Sequence, residues 1–156
     1  MLVHINKKGK RDDLMDNSLR IFNYNVKLLL HWGVFTALEE QLEELAFLKS
    51  VKKKLQTDCI RYTGLRGQTV KKVAVCGGAG SFLLNQAIAA QADVFITADF
   101  KYHEFFDAEG KIVIADVGHF ESEQFTKDLI VQQICEKFPT FAALLSKINT
   151  NPIKYL

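Results

Sequence analysis

Between residues 71 and 138 short apolar runs alternate with amphipathic stretches. Residues 71–76 (KKVAVC), 93–97 (DVFIT) and 111–117 (KIVIADV) are compact, rich in β-branched side chains and read as buried strands. Residues 81–90, 102–108 and 122–138, which separate and follow them, have helical character. Strand and helix alternating at this spacing predict βαβ units, hence an α/β domain with a largely parallel or mixed sheet and helices on both faces. Upstream, Leu38, Leu42, Leu45, Leu48 and Leu55 recur at near-helical spacing. Glu39, Glu40, Glu43 and Glu44 stand at the start of that run and Lys52, Lys53 and Lys54 at its end, the polarity that complements a helix dipole, so an amphipathic helix is expected from Leu38 onward. Residues 59–63 (CIRYT) form a short β-rich run stopped by the turn signals Gly64 and Gly67. The tail, 140–156, reads as one or two closing strands, with 141–148 equally compatible with a helix, and the polar stretch 7–25 reads as a solvated lead-in.

Composition narrows the function classes. The chain has 156 residues, 48% hydrophobic and 24% charged, which suits one soluble globular domain. A formal charge of +2 gives no electrostatic footprint for a phosphate backbone, so nucleic acid is not an expected partner. The most apolar window, 26–38, carries Lys27 and His31 and is shorter than the roughly 20 residues that cross a bilayer, so no membrane span is expected. The first residues lack the apolar centre of a secretory leader, and Cys59, Cys76 and Cys135 are too few and too far apart for a disulfide framework; the expected location is the reducing cytoplasm.

Ligands in such sheets gather beyond the carboxyl ends of the strands, and three segments fall there. Gly77-Gly78-Ala79-Gly80-Ser81 leaves one strand and opens a helix, with Asp99 about twenty residues later as in a dinucleotide fingerprint; the third glycine is missing, so a tight turn without a ligand and a nucleotide loop both stay open. Asp99-Phe-Lys101-Tyr102-His103-Glu104 gathers a carboxylate, an ammonium, a phenol and an imidazole after an apolar strand, a set suited to acid–base work or to a solvated surface loop. In Asp116-Val-Gly118-His119-Phe-Glu121-Ser-Glu123, a helix beginning near Glu121 places Glu123 about a turn from His119, while Glu121 points elsewhere. A histidine and a glutamate make half of a metal site, and their spacing alone favours an ordinary helix start.

The segments VAVCGGAGSFL, ADVFITADFKYHEFFDA, IADVGHFESE and NTNPIKYL, in this order, resemble the carboxyl-terminal half of the Nif-three-like dinuclear metal-centre proteins, also called type 2 GTP cyclohydrolase I homologues. The resemblance covers about 38–156, and four motifs in register are far more specific than any one of them. It implies one lobe of a two-lobed α/β fold assembled as a toroidal hexamer, with two divalent ions (zinc, iron or manganese) in a cleft between lobes. The family's G-H-x-x-x-E motif falls on Gly118 to Glu123, so His119 and Glu123 carry over as metal ligands, Glu123 being suited to bridge two ions. The cleft-lining segment falls on Asp99 to His103, which makes Asp99 and His103 the candidate catalytic residues. The family's amino-terminal ligands have no counterpart, since His4 and His31 stand alone. The chain therefore divides into an unmatched lead-in, 1–32, and a carboxyl-terminal lobe, 33–156. The implied function is a metal-dependent hydrolase acting on a small nucleotide-like substrate. Two other readings stand beside it: a non-catalytic lobe that serves oligomerisation or binding, and metal-free nucleotide binding through the glycine loop and Asp99.

Overall fold

The structure, a computed structural model, describes residues 25–30 and 33–156. Most of the lead-in, with His4 and His31, lies outside the described residues. Six strands, β1 (Asn25–Leu30), β2 (Gly33–Glu43), β3 (Arg61–Tyr62), β4 (Thr69–Ala79), β5 (Val94–Ala98) and β6 (Val113–Asp116), form one sheet in the order β1-β2-β4-β5-β6-β3. β4, β5 and β6 run parallel to one another, while β1 on β2, β2 on β4 and β3 on β6 are antiparallel. The sheet is therefore mixed, with its parallel part confined to the three strands whose alternation with helices was legible in the sequence.

Every residue of β5 and β6 is buried, as expected of parallel strands covered on both faces. The period-two alternation of side chains sorts the core into two layers. On one face Val73, Val94, Ile96, Val113 and Ala115 meet Phe47, Leu48, Val51 and Leu55 of helix α1 (Glu44–Leu55). On the other, Ala74, Phe95 and Ile114 meet Leu84 and Ala87 of helix α2 (Leu84–Ala89), together with Phe100, Ala108 and Ile112. Helices on both faces are thus observed.

Three local expectations are corrected. The helix begins at Glu44 rather than Leu38, because residues 38–43 continue β2, where Leu42 pairs with Val70 and Glu43 with Thr69 beyond a register shift after Ala37. Leu38 and Leu42 pack onto the α1 side of the core from that irregular strand, so their spacing of four imitates a helical repeat. The helix expected over 122–138 is two helices, α3 (His119–Glu123) and α4 (Thr126–Lys137). The chain turns between them so that Gln124 Nε2 donates to the Leu55 carbonyl and Phe125 packs on the core. The tail forms neither strand nor helix. Its asparagines turn the backbone on themselves instead: Asn149 Oδ1 accepts from the N–H of Asn151, and Asn151 Oδ1 from the N–H of Ile153.

A buried ion-pair hub ties α1 to the sheet. Glu44 accepts hydrogen bonds from the backbone N–H groups of Arg66 and Gly67 and from Arg66 Nε, and Arg66 Nη2 reaches Asp93 at 2.9 Å. Asp93 Oδ2 in turn accepts from the N–H groups of Lys71 and Lys72. Burial works to raise the Asp93 pKa, but the Lys72 N–H, the Arg66 guanidinium and the Lys71 N–H together hold it below the usual carboxylate value. A depressed folded-state pKa contributes stability that is present above the unfolded value of about 3.9 and is lost as pH falls through the folded value. Urea unfolding followed from pH 7 down to pH 2 is therefore expected to show a flatter acid limb in Asp93→Asn than in the parent chain; parallel profiles would contradict this. Among the described residues no helix is long and apolar enough to cross a membrane.

Candidate functional site

The parallel run of β4, β5 and β6 brings three loops to one edge of the sheet. The glycine segment ends β4, Asp99 follows β5 directly, and Gly118 opens α3 two residues beyond β6. Asp116, the last residue of β6, organises them. It is buried, and its Oδ2 accepts from the Phe100 N–H at 3.0 Å and from Arg61 Nη2, while its Oδ1 accepts from the Gly118 N–H at 3.1 Å. One carboxylate thereby fixes the residue after Asp99 and the residue before His119, and the two functional side chains meet. His119 Nδ1 is 2.5 Å from Asp99 Oδ2, and His119 Nε2 is 3.6 Å from Glu123 Oε2 one helical turn on. Asp99 holds a left-handed backbone, φ 60°, a conformation that an aspartate tolerates better than most side chains. The hydrogen bond that His119 donates to Asp99 raises the His119 pKa against the opposing effect of partial burial, with the Asp99 and Glu123 charges acting in the same direction as the bond. Side-chain exposures of 50% for His119, 48% for Asp99 and 44% for Glu123 leave the cluster open to a ligand.

Gly78 forms the floor of this cluster. Its φ is +66°, and a Cβ built on it would lie 2.9 Å from Glu123 Oε1 and 3.3 Å from His119 Nε2. Its N–H donates to Ser122 Oγ at 2.8 Å and its carbonyl accepts from Thr97 Oγ1 at 3.1 Å. Gly80 packs as closely, with a built Cβ 2.3 Å from Thr97 Oγ1. The glycines thus let the end of β4 pass beneath His119 and Glu123, the Gly78 amide is spent on Ser122, and Asp99 is spent on His119. The glycine segment is the end of β4, which runs as strand through Ala79 and gives way to a 3-10 turn at Ser81.

His119, Glu123 and Asp99 come together as a unit; His103 does not join them. It is exposed on a 3-10 segment (Tyr102–Ala108), its ring edge-on to Tyr102 at 5.9 Å, and it makes no hydrogen bond to the cluster. Glu121 is directed away from Glu123, as the sequence suggested: it is buried and accepts from Asn151 Nδ2 at 3.0 Å. Asp116 and Ser122 were missed as site-building residues. A carboxylate closing a fully apolar strand is the signal for the first; a serine hydroxyl that also donates to the His119 carbonyl carries no signal at the level of sequence.

An imidazole nitrogen and a carboxylate oxygen 3.6 Å apart span the separation expected of two ligands each about 2.0–2.2 Å from one ion. The Asp99 hydrogen bond to Nδ1 is the outer-sphere contact that metal-bound histidines ordinarily have. The pair fits half of a centre. Among the described residues no group of three or more His, Cys, Asp or Glu side chains is placed to hold an ion.

A mixed α/β lobe that presents a carboxylate-held histidine and a glutamate beyond its parallel strands defines a recognisable class of protein. The chain belongs to the Duf34/NIF3 (NGG1p interacting factor 3) family, whose sequence profile matches residues 5–152 and so reaches across most of the stretch read as an unmatched lead-in. It is 32% identical over 127 residues to a Staphylococcus epidermidis protein called GTP cyclohydrolase 1 type 2 homolog, covering 79% of this chain and 35% of that one. The crystal structure of a Bacillus cereus protein related to NIF3 matches with a TM-score of 0.74 at 31% identity, over 80% of this chain and 35% of the other. A Staphylococcus aureus crystal structure matches with a TM-score of 0.69 at 29% identity, over 80% and 42% of the two chains. The chain thus spans about a third of the length of the curated relatives it matches.

Proposed function

We propose that this chain is a divalent-metal-binding lobe of a metal-dependent hydrolase acting on a nucleotide-like substrate. The observation that carries the reading is the Asp99–His119–Glu123 arrangement above Gly78: Asp99 fixes the imidazole through Nδ1, which leaves Nε2 and the Glu123 carboxylate facing the same open space. A nitrogen and oxygen donor set suits zinc, iron or manganese, and a bound ion would supply Lewis acidity and activate water for hydrolysis. Asp99 then serves to orient His119, and His103, exposed on the segment that follows β5, would meet substrate rather than the ion. The nucleotide-like substrate is supported by the name of the relatives alone, GTP cyclohydrolase 1 type 2 homolog. On this reading the remaining ligands would come from another chain.

We further propose a cytoplasmic homo-oligomer, a hexamer on the family's pattern. Phe138, Phe141, Leu144 and Ile148 along the tail and Phe106 on the 3-10 segment after β5 are exposed, apolar side chains that a partner lobe or subunit would cover. A strictly monomeric chain at micromolar concentration in light scattering would contradict the assembly. The second reading, a non-catalytic lobe serving oligomerisation or binding, is favoured by the ligand count of two.

Elemental analysis and cobalt titration of protein purified without chelator test the metal reading. The parent chain is expected to bind a divalent ion weakly, since water fills the other positions, and His119→Ala to lose most of that binding with an unchanged circular dichroism spectrum. Equal uptake by the parent, His119→Ala and Glu123→Ala, or a His119→Ala chain that no longer folds, would overturn the proposal.

A further inference from the structure

Helix α3 carries His119 and Glu123 on one side and Glu121 on the other, and it is only five residues long. A single turn of helix has no stability of its own, so its orientation is set by what grips it from outside. On the side of His119 and Glu123 the grips are the Gly78 N–H on Ser122 Oγ and Asp99 on the His119 imidazole, with Asp116 holding the Gly118 N–H at the helix start. The opposite side is held by the terminal motif Asn149-Thr-Asn151-Pro152, which the site chemistry leaves unexplained. Glu121 is 6% exposed, Oε1 accepts from Asn151 Nδ2 at 3.0 Å, and Oε2 is buried with no hydrogen-bond partner among the described residues. Gly118 lies between this carboxylate and the end of the chain: a Cβ built there would meet Glu121 Oε2 at 2.3 Å and the Tyr155 hydroxyl at 3.4 Å. The Asn151 side chain is itself held by the turn it forms with Ile153, so the tail arrives at Glu121 already shaped.

We propose that the tail is a strap: Asn151, bound to Glu121, fixes the angle at which α3 presents His119 and Glu123, so Glu121 and Asn151 are positioning residues for the site without touching its ligand. The strap itself rests on geometry alone; its consequence for metal affinity rests on the metal reading above. An outer contact of this kind is worth about 10–100-fold in metal affinity when it orients a ligand.

The test uses the full chain, Co2+ alone as the probe, and hydrogen exchange of the amides of residues 118–124 in metal-free protein. Asn151→Asp keeps the shape of the side chain and replaces the donor by an acceptor facing Glu121, so faster exchange in 118–124 and about tenfold weaker Co2+ binding are expected, with the rest of the exchange profile unchanged. Adding Glu121→Gln to that variant restores a donor–acceptor pair in the reverse sense and is expected to recover both readouts to within about threefold. Parent-like exchange in Asn151→Asp overturns the strap, and so does a loss that the double variant fails to recover, which would mark the contact as general packing. Altered and rescued exchange with unchanged Co2+ affinity overturns the positioning role. Absence of Co2+ binding in the parent chain refutes the metal reading and the affinity consequence together, and the exchange data still decide the strap.

Discussion

Glu44→Ala is expected to lower the stability of the fold by about 3–5 kcal/mol, the cost of stripping one partner from a buried ion pair. The carboxylate is 2% exposed and takes three hydrogen bonds, two from the backbone N–H groups of Arg66 and Gly67 and one from Arg66 Nε. Removing it strands both amides and leaves a guanidinium that is 11% exposed with Asp93 as its remaining carboxylate. Glu44→Gln keeps one acceptor oxygen and should cost less. Urea unfolding followed by circular dichroism reads the effect as a lower midpoint at unchanged slope. A midpoint within error of the parent would show that water replaces the carboxylate at no cost.

Gly78→Ala is expected to damage the site more than the fold. The left-handed φ of +66° costs an alanine about 1–2 kcal/mol. The new methyl would also lie 2.9 Å from Glu123 Oε1 and 3.2 Å from His119 Cε1. Both side chains are about half exposed and can swing aside, which spares the fold but separates the two ligand atoms. Cobalt affinity should therefore fall by about tenfold or more, the range seen when ligand orientation is lost, together with a changed His119 imidazole signal in nuclear magnetic resonance. Parent-like affinity and an unchanged imidazole signal would mean that the glycine serves only the left-handed backbone at the end of β4.

The parts of the molecule legible in the sequence are those where one physical demand dominates. β5 and β6 are covered on both faces, so VFITA and VIAD are apolar without interruption, and the helices packed on them follow from the alternation. The start of α1 was displaced because Leu38 and Leu42 reach the same core from an irregular strand as they would from a helix, and periodicity does not separate the two. The tail defeated both of its readings because its conformation is set by asparagine side chains and by contact with Glu121, thirty residues away in sequence. At the site, His119 and Glu123 stood out through the family motif, since their spacing alone favours an ordinary helix start. The union of Asp99 with His119 depends on Asp116 holding two loops at once, a long-range arrangement that no local spacing encodes.

β3 contributes only Arg61 and Tyr62 to the sheet, and it forms the edge beside β6. A strand arriving from another molecule would find two residues to pair with there, too few to template an extension, and the Arg61 side chain is already committed to Asp116 and to the Phe100 carbonyl. That border resists fibrillar growth by strand addition, a hazard that a long, flat edge of apolar residues would carry. Any neighbour approaching from this side has to recognise side chains, and the brevity of β3 thereby protects this edge of the sheet against templated aggregation.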